Sequence, residues 1–168
     1  MTDTCHITAH GPVPLVEISA RPAAWSGGLA DAVQDAADGA TVLVLSPDRR
    51  LVLLADEPLP IWWGAVAAAG GKAVDVGHAW RLFQVAGPEA RALLERGIAL
   101  DLDPRHFVPN QAAQTLCART PVILFSAGID LFHLYAATSY ADWLSAWLRD
   151  TRETMTTAIG EGIRHVHS

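Results

Sequence analysis

Lysine is almost missing from this chain. Lys72 is the only one, and the other cations are arginines scattered along the sequence. With 12 Lys and Arg against 18 Asp and Glu, the formal charge is −6. Clustered basic residues normally mark a nucleic-acid surface, so that partner is excluded. Cysteine is scarce too: Cys5 and Cys117 alone cannot build a disulfide framework. No apolar run suits a bilayer, because residues 61–71 are too few to cross and residues 121–137 are interrupted by Gly128, Asp130 and His133. Residues 1–14 lack the apolar centre of a signal peptide, which leads to the expectation of a reducing cytoplasm and no membrane. Gly-x-Ser-x-Gly, the Walker loop and Gly-x-Gly-x-x-Gly are all absent, so the common nucleophile and phosphate motifs give no lead.

What is abundant is apolar surface. The chain is 51% hydrophobic and 18% charged, against roughly 25% charged in ordinary soluble domains. A domain of 168 residues has much surface per volume, so its excess apolar area cannot all be internal. This implies a chain that buries a face against another protein.

The pattern along the chain predicts a loose arm over residues 1–13, one α+β domain over 14–160 with lobes at about 14–73 and 74–160, and a tail over 161–168. Residues 14–21 alternate as a strand. Residues 25–38 carry Leu29, Ala32, Val33 and Ala36 at helical spacing and end at Gly39. Residues 41–45 and 51–55 form a hairpin around Ser46-Pro47-Asp48-Arg49. Residues 60–70 make a short helix that Gly70-Gly71 stops. In the second half an extended run over 75–86 meets Gly87-Pro88-Glu89-Ala90. Gly87 permits a sharp exit, Pro88 suits a first helical turn, and Gly97 closes the helix. Strands over 112–119 and 122–126 around Thr120-Pro121, and another over 131–136, lead to the strongest helix, from Ser139, opened by a capping-box-like Thr138-Ser139-x-x-Asp142. The order expected from residue 80 onward is β-α-β-β-β-α, after β-α-β-β-α in the first half, as two related lobes sharing a sheet.

Several pieces in order carry a family resemblance: Gly87-Pro88-x-Ala90 before Leu93-Leu94, Leu100-Asp101-Leu102, Phe107-x-Pro109, Ala113-Gln114-Thr115, Val122-Ile123-Leu124-Phe125, Phe132-His133-Leu134, and Ser139-Tyr140-Ala141 with Trp143-Leu144. Over residues 80–150 the chain resembles the gamma subunit of heterotetrameric sarcosine oxidase. It departs at Asn110, where the family usually has glycine, and at Thr138, where arginine is usual. The resemblance implies two intertwined ferredoxin-like βαββαβ-type lobes, similar to the folate-binding domain of the glycine-cleavage aminomethyltransferase. It implies a non-catalytic gamma subunit that packs on and stabilises a large alpha subunit, and through it meets beta and delta. That complex demethylates sarcosine oxidatively to glycine and passes the one-carbon unit to tetrahydrofolate. Its FAD, FMN, NAD, tetrahydrofolate and zinc sit in other subunits, so no cofactor is expected on this chain. A free-standing folate-binding protein of the aminomethyltransferase-like type is the alternative.

The candidate residues are few. Arg81 and Arg91 flank the Gly87-Pro88 turn, where a folate glutamate tail would need cations. The plainer reading, a solvated strand end and an exposed helix face, is favoured. Trp62 and Trp63 are adjacent on a short helix and point about 100° apart, so at least one is expected to meet a partner. Trp143 and Trp147 are expected in the core with Leu144 and Leu148. Cys5, His6, His10, His165 and His167 match no zinc spacing, so no metal site is expected. Cys117 and His133 read as strand residues rather than a nucleophile and a base, and Asp101 and Asp103 as solvent-facing carboxylates. No catalytic residue is expected.

Overall fold

The structure is a computed structural model that describes residues 5–35, 40–54 and 60–164. Its elements are β1 (His6–His10), β2 (Leu15–Ala20), α1 (Pro22–Ala24), α2 (Ala30–Asp35), β3 (Thr41–Ser46), β4 (Arg49–Leu53), α3 (Pro60–Ala68), β5 (Gly71–Asp75), β6 (Trp80–Ala86), α4 (Ala90–Glu95), β7 (Ala112–Cys117), β8 (Thr120–Gly128), β9 (Leu131–Ala137) and α5 (Ala141–Arg164). The class is mixed α+β, as expected. The strands form two sheets rather than a shared one, with orders β3-β4-β2-β5 and β1-β6-β9-β8-β7. The chain divides into two units, Gly11–Trp80 and Arg81–Ser168 together with Met1–His10.

The Gly11–Trp80 unit runs β-α-β-β-α-β. Strand β2 pairs antiparallel with both β4 and β5, and β3 pairs antiparallel with β4. The β3–β4 hairpin turns where the sequence predicts. Ser46 Oγ donates to Asp48 Oδ1 at 2.6 Å, and this bond holds the exposed Asp48 carboxyl below its ordinary range. Strand β5 has little sequence signal, since Gly-Lys-Ala-Val-Asp neither alternates nor is rich in branched residues. Its place follows from pairing Val16–Ala20. The first helical stretch is broken at Gly27 and Gly28, the latter at φ +105°, before α2 begins. Leu29 and Val33 nonetheless reach the core as their spacing predicts, beside Val16, Ile18, Val52 and Val66. Residues 36–39, which include the predicted stop at Gly39, lie outside the described residues.

The other unit corrects the reading of the N-terminus. Residues 6–10, expected as part of a loose arm, form β1 and pair antiparallel with β6, from His6 opposite Ala86 to His10 opposite Leu82. From β6 onward the order is β-α-β-β-β-α, as the sequence predicts. This unit therefore ends on a helix rather than a strand, unlike a βαββαβ lobe. Gly87 has φ +115°, and its N–H donates to the Asp130 carbonyl at 2.9 Å, so the exit of β6 lies beside the entry to β9. Helices α4 and α5 supply Leu93, Leu94, Leu144, Leu148 and Met155 to a core with Phe83, Val85, Leu124, Phe132 and Leu134 from the sheet. A fully buried leucine contributes about 1.5–3 kcal/mol. The helix continues to Arg164, into the predicted tail, and residues 165–168 lie outside the described ones.

The β7–β8 turn falls on Ala118–Arg119, not on Thr120-Pro121 as expected. Pro121 instead sits in β8 opposite Leu116. Both turn residues have positive φ, 49° and 67°, which alanine and arginine seldom adopt, so the sequence gives no turn signal there. Asn110 is also left-handed, at φ 67°. Asparagine is among the residues best able to replace glycine in that conformation.

Candidate functional site

The tryptophans expected at an interface sit mainly in the core. Trp62 is 1% exposed and packs among Ile18, Leu29, Val33 and Val66, so the expectation of a partner contact does not hold for it. Trp63 is half-buried and meets the Trp62 ring edge-on at 5.2 Å and 81°. A 100° divergence therefore does not separate them, because a large indole can lean back onto its neighbour. Trp143 reverses its expectation: it is 59% exposed, while Leu144 and Leu148 are fully buried. Trp147 is half-buried against the core, over Gly97. Gly97 does not have positive φ. A Cβ there would meet Trp147 Cζ2 at 2.6 Å, so the glycine provides clearance rather than a left-handed cap.

The two candidate arginines have different settings. Arg91 Nη2 donates to the Ile129 carbonyl at 3.1 Å, and the guanidinium lies 4.9 Å from the Phe132 ring centroid. The side chain thus ties α4 to the β8–β9 turn, rather than projecting from an exposed helix face. Arg81 is half-buried on β6.

The densest polar group lies in the loop after α4. Asp101 Oδ1 accepts from the Asp103 N–H at 2.9 Å, and Asp103 accepts from the Arg105 backbone and guanidinium at 2.7–2.9 Å. His106 Nδ1 lies 2.5 Å from Asp101 Oδ2. The Asp101 hydrogen bond and charge raise the His106 pKa above 6.5, while bonds from the Asp103 N–H and His106 lower that of Asp101 below 3.8. Arg105 holds the Asp103 carboxyl far below its usual range. These are exposed pairs that shape a loop, and Asp101 faces solvent as its sequence predicts.

Cys117 is fully buried, and burial pushes its thiol up to about 12. Cys5 is also a core residue, on the face of its strand that Ile7 shares, whereas His6 and His10 lie on the other face. Cys5 directly precedes β1 and Cys117 ends β7, and these strands are at opposite edges of a five-stranded sheet, about 19 Å apart at 4.8 Å per strand, too far for a disulfide. Among the described residues no group of three or more His, Cys, Asp and Glu could hold a metal, and His165 and His167 lie outside them. No helix among them is long and apolar enough to cross a membrane. His133 is a half-buried strand residue between Phe125 and Tyr135, as expected, but it is not the satisfied histidine the sequence suggests, since its Nδ1 is buried without a hydrogen-bond partner; its pKa is lowered by burial and by His10.

The geometry defines a mixed α+β protein whose chemically notable side chains are mostly engaged in packing and turn construction. The sarcosine oxidase gamma subunit family (SoxG) matches residues 20–154. The chain therefore belongs to the sarcosine oxidase gamma subunit family. It is 30% identical over 145 residues to the sarcosine oxidase subunit gamma of Corynebacterium sp. (strain U-96), covering 83% of this chain and 71% of that one. It is 31% identical over 121 residues to the Arthrobacter sp. subunit gamma, covering 70% of this chain and 59% of that one. In solved structures, a chain of the heterotetrameric sarcosine oxidase from Corynebacterium sp. U-96 shares the fold with a TM-score of 0.79 and 24% identity, over 89% of this chain and 84% of that chain.

Proposed function

We propose that this chain is a non-catalytic gamma subunit of a sarcosine-oxidase-type complex, in which it stabilises the large alpha subunit and is held through it with beta and delta. The complex would convert sarcosine to glycine and hand the one-carbon unit to tetrahydrofolate, with FAD, FMN, NAD, folate and zinc in the other subunits. The observation that carries this reading is the family match across residues 20–154. The β-α-β-β-α-β order of the Gly11–Trp80 unit and its β3-β4-β2-β5 sheet support a ferredoxin-like lobe and kinship with the aminomethyltransferase folate domain. Kinship of fold does not bring a ligand site with it. The alternative of a free-standing folate binder gains little from Arg91, whose half-buried guanidinium donates through Nη2 to the Ile129 carbonyl and packs on the Phe132 ring, with Nη1 left unpartnered. The role of scaffold also agrees with a composition of 51% hydrophobic residues and with the exposed Trp143.

The test is to prepare the complex with and without this chain and follow sarcosine-dependent peroxide formation and alpha-subunit solubility. The chain alone should give no turnover, and its omission should leave alpha aggregated or inactive. Full activity and a stable alpha without it would contradict the proposal, as would folate-dependent turnover by the isolated chain.

A further inference from the structure

Strands β1, β6 and β9 bring histidines to one side of their sheet. Phe83, Val85, Phe132 and Leu134 pack against the helices, so His133 and Tyr135 of β9 face the other way, as do His6 and His10 of β1. His133 is half-buried, with the Phe125 ring centroid 6.0 Å away on the neighbouring strand and Tyr135 edge-on at 6.3 Å. Its Nδ1 has no hydrogen-bond partner, and neither has the hydroxyl of the fully buried Tyr135. Only β6 separates β9 from β1, and His10 reaches across to it, with Nε2 3.4 Å from Gln84 Oε1. A charge on His10 is felt at His133.

A neutral imidazole with its proton on Nε2 leaves Nδ1 only a bare lone pair. An imidazolium carries N–H on both nitrogens, so protonation turns Nδ1 into a buried, charged donor with no acceptor. The two rings lie at the outer limit of cation–π contact, about 6 Å, and compensate little. No carboxylate on the sheet compensates either. None of the five strands carries Asp or Glu, and Glu89 and Asp130 lie in the connections beyond the strand ends. On this face β6 presents Leu82 and Gln84, β8 presents Ile123 and Phe125, and β7 presents Gln114, while Arg81 alternates onto the opposite side. Tyr135 stays neutral, because burial pushes its phenol up. The least anchored strand here is β1, five residues at a sheet edge, paired with β6 alone and held to the core by Cys5 and Ile7.

We infer that β1 is an acid-released strand: when His133 and His10 both carry protons, their repulsion and the unpaired Nδ1–H of His133 open the β1–β6 pairing and expose Cys5. Departure of β1 removes the second charge and admits water along β6. Burial, and after it His10, hold the His133 pKa below 6.5 in the fold, so the closed arrangement has its whole stability above 6.5 and loses it as pH falls below that value. The release needs no partner and goes beyond the subunit reading.

The test treats the full chain at pH ~7.5 and ~5.5, on either side of the ordinary histidine range, with a dipyridyl disulfide that labels thiols in acid as well as near neutrality. Peptide mass spectrometry separates Cys5 from Cys117, and rates are normalised to the urea-unfolded chain at each pH to remove the change in thiolate fraction. Cys5 labelling should rise severalfold in acid while Cys117 stays protected. His133→Phe keeps a ring that cannot be protonated and should abolish the rise. His10→Gln, at an exposed position, should reduce it without disturbing the core. His106→Gln removes an exposed histidine elsewhere and should leave it intact. Equal Cys5 labelling at the two pH values would overturn the inference. A rise that survives both His133→Phe and His10→Gln would also overturn it, as would Cys117 labelled in step with Cys5, because the whole unit would then be opening.

Discussion

Replacing Gly97 by alanine tests the packing account at its tightest point. The added Cβ would sit 2.6 Å from Trp147 Cζ2 and 3.1 Å from Cζ3, where carbon atoms prefer about 3.5–4.0 Å. The indole must therefore retreat by about 1 Å, or the α4–β7 connection must shift. Neither is easy, because Trp147 is half-buried against the core and Gly97 accepts a hydrogen bond from Ala118. Overpacking of this kind costs about 1–3 kcal/mol. Alanine also restricts the unfolded chain, which returns about 0.4–1 kcal/mol. The net expectation is a destabilisation of about 1–2 kcal/mol, or a fall in melting temperature of roughly 2–8 °C for a chain of this length. Thermal and denaturant unfolding followed by circular dichroism read it. A Trp147→Leu change alone also destabilises, by removing ring contacts. Combined with Gly97→Ala it should cost less than the sum, with a coupling of about 1 kcal/mol. A neutral or stabilising Gly97→Ala, or strict additivity in the double change, would refute the reasoning.

Trp62→Ala should destabilise the isolated chain by about 3–5 kcal/mol, and Trp63→Ala by clearly less; equal, small losses in denaturant unfolding would place Trp62 outside the core. The His106 ring should titrate by NMR above 6.5, and Asp101→Asn should bring its midpoint back down. Because the folded His106 pKa is raised, its stabilising share is complete below 6.5 and lost as pH rises through the folded value; the lowered Asp101 pKa makes its share present above 3.8 and lost as pH falls through the folded value, so the pair supports the loop most between those limits. Neither Cys5 nor Cys117 should react with a thiol reagent at pH 8 until denaturant is added; rapid labelling of the native chain would contradict their burial.

Much of the fold is legible in the residues where local chemistry and the fold agree. Gly87, the Ser46-Pro47-Asp48 turn and the Leu144 and Leu148 spacing each specify one local structure, and each is found. What escapes is set by tertiary context. Strand β1 is short and polar, and it exists because the edge of β6 is open to it. The Ala118–Arg119 turn has no glycine or asparagine to announce it, and its position depends on Gly97 and the Ile98–Cys117 bridge. Helical spacing puts Trp143 and Trp147 on one stripe with Leu144 and Leu148, but one face of a helix cannot bury four large side chains equally, and Trp143 falls at its edge. Adjacent Trp62 and Trp63 mislead for the converse reason, since edge-on stacking lets both serve one core. The clearance role of Gly97 is invisible without the position of an indole fifty residues away.

The central claim is that the chain works as a docked component, and native mass spectrometry of the tagged chain co-expressed with the other sarcosine-oxidase-type subunits tests it most directly. The account predicts that the 17.9 kDa chain is recovered within an assembly containing those subunits. Recovery of the chain only as a free monomer, beside a complete and active assembly that lacks it, would contradict the account.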